Sequence, residues 1–400
     1  MPPLLEKLPS ESGNVPRYNE RRVLQAIRRM GEASKADLAR QSNLTNTAIG
    51  TIVTSLHRQQ LLQISGKRHE GQRGQPATLY KLNPSGAYGI GVRVDRTWIQ
   101  SVLIDFDGSV LSRLSHEIIL PIPEKALEVI LKDVRTLLEM MSEEQRQRLF
   151  GIGLAYPYNL DSRLTELSLP TADFRYWRQF GLADDIEEAF SLPVCGENDT
   201  AAAAIAELFY GVGRHHDDFL YIFIGPGIGG GIVMGGDAVR GASGNAGDIG
   251  LSLVPPSQLP SAPQPQKGWD ILLNRASINT LIRHLRFRGY EVNSFANIEL
   301  FVDQDNPAVD EWMTDCVAAL APVIWSGVAL LNCPVVVLAS DLAGSFVARL
   351  VSRLEKALAD CAPESRTPPR LVPGSLGSDA EAIGAANLPF FHNFSPQDHL

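Results

Sequence analysis

Residues 17–82 leave the chain the least freedom. Val23, Leu24, Ile27 and Met30 recur at helical spacing until Gly31 stops the pattern. Ser34 is placed to cap a second helix carrying Ala36, Leu38 and Ala39. "SNLT" then allows only a short turn. Thr45 or Asn46 caps a third helix, with Ile49, Ile52, Val53 and Leu56 on its inner face. Two short helices joined by a tight turn, with a further helix before them, predict a helix-turn-helix. "LLQISGKRHEGQRGQPATLYKL" adds a strand, a basic Gly-rich loop and a second strand, the pattern of a wing.

Charge points the same way. From Arg17 to Lys81 there are twelve Lys and Arg against four Asp and Glu, a net of +8. The whole chain is −9, so the remainder carries −17. A basic module on an acidic body is the asymmetry expected where one end meets nucleic acid. The start of the third helix is expected in the major groove. Asn46, Thr47 and Thr51 then face base edges or phosphates, and Asn can pair bidentately with adenine. Thr45 belongs to the same set, although capping is its more natural task. The wing offers Lys67, Arg68 and Arg73. Gly71 and Gly74 beside Arg73 permit close approach to a minor groove or a phosphate.

The other bulk numbers exclude several classes. The 400 residues allow two or three domains, and 44% hydrophobic with 20% charged residues suits a globular chain. No window holds about 18 uninterrupted apolar residues, and the first twenty residues lack a basic-then-apolar leader. A cytoplasmic protein with no membrane partner is expected. Cys195, Cys316, Cys333 and Cys361 are scattered, without a metal-type spacing or a disulfide framework. No metal is expected.

"LNPSGAYG" joins the module to a longer body. There "YGIGVRVD" and "IQSVLIDFDG" suggest a β-hairpin, "EKALEVILKDVRTLLEMM" an amphipathic helix, and "LFGIGLAYP" a strand. "DFLYIFIGPGIGGGIVMGG" repeats strand–turn–strand, and the buried strand "PVVVLAS" follows a long helix at 309–331. Two α/β lobes flanking a ligand cleft fit this order. The expected division is a tail at 1–16, the winged module at 17–82 and a body at 83–400. Within the body, about 88–195 forms one lobe, about 196–387 the other, and 388–400 a C-terminal tail.

The chain resembles the ROK family (repressors, open reading frames and sugar kinases), and within it the transcription regulators with an N-terminal winged helix. The resemblance runs from about 17 to 387. It rests on "GQRGQPATLYKLNPSG", "GIGLAYP", "LPVCGENDTAAAAIAE", "GPGIGGGIVMGG", "GASGNAGDIG" and "GSDAEAIGAA". It implies an actin-like, ribonuclease-H-like two-lobed α/β core behind the DNA-binding module.

Kinases of the family hold ATP at three Gly-rich places, and this chain departs from all three. Where the family has Asp-x-Gly-Gly-Thr, Asp95 is followed by Arg96, Thr97 and Trp98. A Gly-Thr-Gly is replaced by Gly225-Pro226-Gly227, which removes a hydroxyl and an N–H donor. A late Gly-Gly is replaced by Ala339-Ser340. Phosphoryl transfer depends on positioning and charge stabilisation, so no ATP cofactor and no enzyme activity are expected. Gly229, Gly230 and Gly231 are then read as tight-turn scaffold.

The sugar-side signature is partly kept. The resemblance makes Asn198 and Asp199 sugar contacts; the residues alone allow a plain helix N-cap instead. "GNAGDIGL" supplies Asn245 and Asp248 to the same site, with Asp248 shorter than the family's Glu. Leu251 stands where the family has a zinc-binding His, and a Pro-rich, cysteine-free loop follows in place of a Cys cluster. Trp269 closes that loop, either as a stacking platform for a sugar ring or as core. The implied partners are operator DNA, a sugar, polyol or sugar-derived effector, and a second copy in a homodimer or homotetramer. The leading expectation is a sugar-responsive repressor. A sugar kinase fused to a DNA-binding module, or a scaffold docking a transporter or phosphotransfer protein, are the alternatives.

Overall fold

The computed structural model describes residues 17–68, 76–96, 98–118, 122–157, 177, 181–265, 268–292, 295–303, 306–363 and 366–396. The chain divides into two units. The first joins Met1–Leu160, Phe174–His215 and Ala380–Leu400; the second joins Asp161–Asp173 and His216–Asp379.

The first unit begins with α1 (Tyr18–Met30), β1 (Glu32–Ser34), α2 (Lys35–Ser42), α3 (Asn46–Arg58), β2 (Leu62–Arg68) and β3 (Ala77–Leu82). The Glu20 carboxylate accepts from the Arg17 N–H at 2.8 Å to start α1, and Gly31 stops it at φ +73°. Ser34 and Asp37 cap α2 reciprocally. Asn43 ends α2 in the left-handed region at φ 55°, which Asn tolerates, and so makes the tight turn. Thr45 Oγ1 accepts from the Ala48 N–H at 3.2 Å to start α3. Val23, Leu24, Ile27, Leu38, Ile49, Val53 and Leu56 are wholly buried. Ile52, expected on the inner face of α3, is half-buried, and Met30 and Ala36 are exposed. The sheet runs β1–β3–β2, with β3 antiparallel to both neighbours. Three residues of β1 are too few to show a period, so the sequence carried no sign of that strand.

The unit continues through β4 (Tyr88–Val94), β5 (Trp98–Asp105), β6 (Val110–Glu117), α4 (Pro123–Met140), α5 (Glu143–Arg146), β7 (Leu149–Tyr156), α6 (Leu182–Phe190), β8 (Val194–Asn198) and α7 (Asp199–Tyr210). The sheet order is β6–β5–β4–β7–β8. The first three strands are antiparallel, and β7 and β8 join parallel.

The second unit holds β9 (Phe219–Ile224), β10 (Ile228–Met234), β11 (Asp237–Val239), β12 (Leu253–Val254), β13 (Asp270–Ile271), α8 (Leu273–Ala276), α9 (Ile278–Phe287), α10 (Phe295–Val302), α11 (Pro307–Leu331), β14 (Val335–Ser340), α12 (Gly344–Asp360) and β15 (Arg370–Pro373). Its sheet, β11–β10–β9–β14–β15, repeats the order and directions of the first. Each unit thus carries the strand pattern expected of a ribonuclease-H-like core. Helix α11 is long and apolar enough in composition to cross a membrane. Here it carries the core instead: Trp312, Met313, Cys316, Leu320 and Ile324 are buried. Its Asp315 is ion-paired with Arg275 at 2.6 Å.

The last helix, α13 (Ala380–Phe394), corrects the expected lobe boundaries. Residues 388–400 do not form a tail from the start. Leu388, Phe390, Phe391 and Phe394 are wholly buried in the first unit, where Phe106 meets Phe390 and Phe394 edge-on at 5.4 and 4.9 Å. The first unit also keeps β8 and α7, so the chain leaves it after His215 and not at 195. The physical reason is close packing. A methyl group at Gly153 or Gly384 would collide with the carbonyl oxygens of Ala385 and Ala202. Bare backbone lets β7, α7 and α13 touch.

Candidate DNA-binding and effector sites

The outward face of α3 carries the predicted contacts. Asn46, Thr47 and Thr51 are exposed, and Thr54 and Arg58 extend the stripe at spacings of three and four. The sequence reading missed the last two, although the same spacing from Thr47 reaches them. Thr51 Oγ1 donates to the Thr47 carbonyl at 3.2 Å, leaving the hydroxyl lone pairs as acceptors. Gly50 has open space beside it, so among the described residues no atom crowds the backbone at that point. Thr45 is occupied as the cap.

The wing behaves differently from expectation at one position. Lys67 is exposed. Arg68, expected on DNA, bonds through Nη2 to Asp37 Oδ2 at 2.7 Å and fastens the base of β2 to α2. Arg40 pairs with the same carboxylate. Burial pushes Asp37 up, but hydrogen bonds from Ser34, Arg68 and Arg40 outweigh it and hold the carboxyl well below the usual range. Arg73, Gly71 and Gly74 lie outside the described residues.

In the first unit, Asn198 and Asp199 separate into two tasks. Asn198 is the cap of α7: its Oδ1 accepts from the Thr200 and Ala201 N–H groups, both at 3.1 Å, and from Thr200 Oγ1 at 2.7 Å. Asp199 is the first helical residue, and its Oδ1 accepts from the Thr200 N–H at 2.8 Å. Capping therefore does not account for Asp199. Its carboxyl is pushed up to about 6, first by burial and then by Asp95, against the opposing pull of Thr200, Arg93 and Arg96. Arg93 Nη2 lies 3.7 Å from Asp95 and pairs through Nε with Glu381. Arg96 Nη1 lies 3.8 Å from Asp95, whose Oδ1 also accepts from the Arg96 N–H at 2.6 Å. The end of β4 is therefore filled by guanidinium side chains around a carboxylate, where the family's kinases keep bare glycine backbone. Thr97 lies outside the described residues.

The second unit holds the remaining candidates. Asn245 Nδ2 donates to Asp248 Oδ2 at 2.9 Å, and both side chains are half-buried. Trp269 is 42% exposed, which rules out the core alternative. Gly229, Gly230 and Gly231 are not a tight turn; they lie within β10, paired with Phe223, Ile222 and Tyr221 of β9. A methyl at Gly230 would sit 2.6 Å from the Gly247 oxygen, and Gly247 itself has φ +92°. The glycines thus bring the loop bearing Asn245 and Asp248 against the strand.

The other two ATP places are also in this unit. Gly225-Pro226-Gly227 closes the β9–β10 turn, with the Gly225 N–H donating to the Gly227 oxygen at 2.9 Å. Ser340 is buried and its Oγ donates to the Ile224 oxygen at 2.6 Å, binding β14 to β9. The residues do not fit the family's zinc either: Leu251 is a half-exposed hydrocarbon and the following loop has no cysteine. Hydrogen bonds secure that loop instead. Ser257 Oγ donates to Asp315 Oδ2 at 2.9 Å, Arg275 Nη1 to the Pro255 oxygen at 2.8 Å, and Ser261 Oγ meets His284 Nδ1 at 2.8 Å.

The xylose repressor of Bacillus spizizenii is 26% identical over 59% of this chain and 60% of its own length. A glucokinase of Streptomyces coelicolor is 31% identical over 54% of this chain and 65% of its own. The matches thus span less than two thirds of either relative. In fold, the chain resembles the crystal structure of a ROK family transcriptional regulator described as a homologue of the E. coli MLC protein. The TM-score is 0.68 and the identity 23%, with 95% of this chain and 96% of the other covered. The expected actin-like α/β class is therefore the observed one. The family model for ROK proteins matches residues 89–390, most of the chain, and on that ground the chain belongs to the ROK family.

Proposed function

We propose that this protein is a DNA-binding transcription regulator, a sugar-responsive repressor without kinase activity. One observation carries the reading: a helix-turn-helix whose α3 presents Asn46, Thr47, Thr51, Thr54 and Arg58 outward, on a ROK body whose three phosphate places bear side chains or proline. Residues 17–82 are the operator-binding module, with Lys67 and Arg73 on the wing. Asn198, Asp199, Asn245, Asp248 and Trp269 are the effector contacts, and carboxylates with amides suit hydroxyls that both donate and accept. The protein acts in the cytoplasm as a homodimer or homotetramer on an inverted repeat. The relatives named xylose repressors make D-xylose the first effector to try, with D-glucose beside it.

The test has three arms. Duplexes selected from random DNA should bind the full chain with affinity falling steeply as salt rises. D-xylose or D-glucose should raise the melting temperature, because a ligand of the native state stabilises by mass action. A coupled ATP assay on both sugars should show no turnover. Sugar-dependent ATP consumption above background would favour the kinase alternative; failure to select any duplex would end the regulator reading.

A further inference from the structure

Arg28 lies near the end of α1 and is only 5% exposed. Its guanidinium carbon sits 4.1 Å from the centroid of Phe209, on the last turn of α7, and 5.7 Å from that of Phe106. Among the described residues, its Nε and Nη2 make no hydrogen bond. Burial draws the group down to about 10, against the support of Tyr210 and Asp107. A guanidinium brings five donors, and each buried donor left unmade is a desolvation cost. A desolvated cation–π contact returns part of that cost. With two such donor atoms, the cation–π attraction does not outweigh the cost, so the seat of Arg28 adds no net stability. A polar tie from the same helix is long: Arg21 Nη1 donates to the Ser395 oxygen at 3.4 Å.

The element Arg28 rests on runs back to Asp199. Helix α7 has 12 residues, about 18 Å at 1.5 Å per residue. Every residue from Thr200 to Phe209 is buried. Along its length α13 lies against it, with Gly384 admitting the Ala202 carbonyl. Tyr210 Oη donates to Asn387 Oδ1 at 2.7 Å and ties the far end to the same helix. Helices packed this closely shift together, because a core has discrete arrangements and does not deform smoothly. Asp199 at one end and Phe209 at the other are therefore the two ends of one rigid body inside the first unit.

We propose that α7, backed by α13, carries the state of the effector site to the DNA-binding module, and that Arg28 is the residue that reads it. This rests on Asn198 and Asp199 being effector contacts. A sugar hydroxyl on the Asp199 carboxylate shifts the first turn of α7. The shift alters the seat of Arg28 between Phe209 and Phe106, and with it the tether of α1. Arg28 touches neither ligand and is a positioning residue.

Hydrogen exchange on the full chain tests this without knowing the effector. Amides of residues 18–30 are followed in the native protein, Asp199→Asn, Arg28→Met and the double variant. Coupling of this kind changes local opening by roughly 2- to 30-fold. Asp199→Asn should change exchange in 18–30 by a factor in that range in the native background, and leave it unchanged once Arg28 is Met. A merely structural Arg28 would loosen α1 but leave the Asp199→Asn ratio the same in both backgrounds, which would overturn the proposal. So would altered exchange at 199–203 with 18–30 untouched. Asp95→Asn perturbs the same site and replaces Asp199→Asn if that variant does not fold. Added D-xylose and D-glucose separate the two readings. A coupled cycle with no response to either sugar sustains the route through α7 and counts against these sugars as effectors.

Discussion

Asp199 is a carboxylate whose ionised form the fold disfavours. In the unfolded chain it titrates near the ordinary 3.8, and in the folded chain at about 6. The folded state therefore holds the proton more tightly between those values. The resulting penalty is absent below about pH 4, grows as pH rises to 6, and is complete above it. Partial contact with solvent trims its size. Asp199→Asn should melt higher than the native protein at pH 7, by about 1–2 kcal/mol, with the gain vanishing near pH 4. On the proposed function the same change removes an acceptor for a sugar hydroxyl, so effector affinity should fall roughly 10- to 100-fold. Melting curves across pH beside calorimetric titration read both; a variant less stable at pH 7 would contradict the burial argument. Arg68 and Lys67 offer a contrast of the same kind. Lys67→Ala should weaken operator binding evenly across sequences and lower the salt slope by about 1. Arg68→Ala should instead lower the melting temperature, because the buried Asp37 loses a partner.

At the scale of elements, the loop after Leu251 shows how a segment is fixed without metal. Ser257, Asp315 and Arg275 form a buried, hydrogen-bonded group between that loop, α8 and α11. Removing one partner leaves an uncompensated charge, so Asp315→Ala should cost about 3–5 kcal/mol. Replacing both partners by apolar residues of similar volume, as in Asp315→Leu with Arg275→Met, should cost far less. Urea unfolding of the two variants distinguishes them. Equal losses would mean that the group contributes attraction of its own. Unchanged stability under a strong chelator is also expected, since nothing in this loop offers a thiolate.

At the scale of the molecule, the proposed function gives operator recognition and ligand response to different stretches of one chain. Deleting residues 1–82 should abolish operator binding and leave a folded body, with anisotropy and circular dichroism as the measurements. The truncated first unit loses Arg28 from its seat between Phe106 and Phe209. Because that contact adds no net stability, the melting temperature of the body should not fall with its loss. A body that unfolds would show that the module is part of its core. A winged helix buries a modest interface, so paired modules are expected on DNA. Light scattering should give an even-numbered oligomer and footprinting two related half-sites; a monomer protecting one half-site would refute this.

The sequence by itself determined the local features. Caps at Ser34 and Thr45, the αL-tolerant Asn43, and the helical spacing of Val23, Leu24 and Ile27 are short-range signals, readable because propensity and period act over a few residues. The motifs named the family, since their glycines and carboxylates are fixed by chemistry at set spacings. Only the tertiary structure decided what depends on residues distant in the chain. It divided Asn198 the cap from Asp199 the buried carboxylate, because the charges around Asp199 come from the end of β4 and the residues just after it. It drew Arg68 away to Asp37, 31 positions earlier. It turned Gly229–Gly231 from a turn into a strand that a distant loop approaches. It returned 380–394 to the first unit, because the apolar face of α13 fits only the small residues of α7 and the glycines of β4 and β7. And it seated Arg28, outwardly one more positive charge in a basic module, between two aromatic rings of the body. Burial and charge pairing are properties of the assembled neighbours, and no window of sequence contains them.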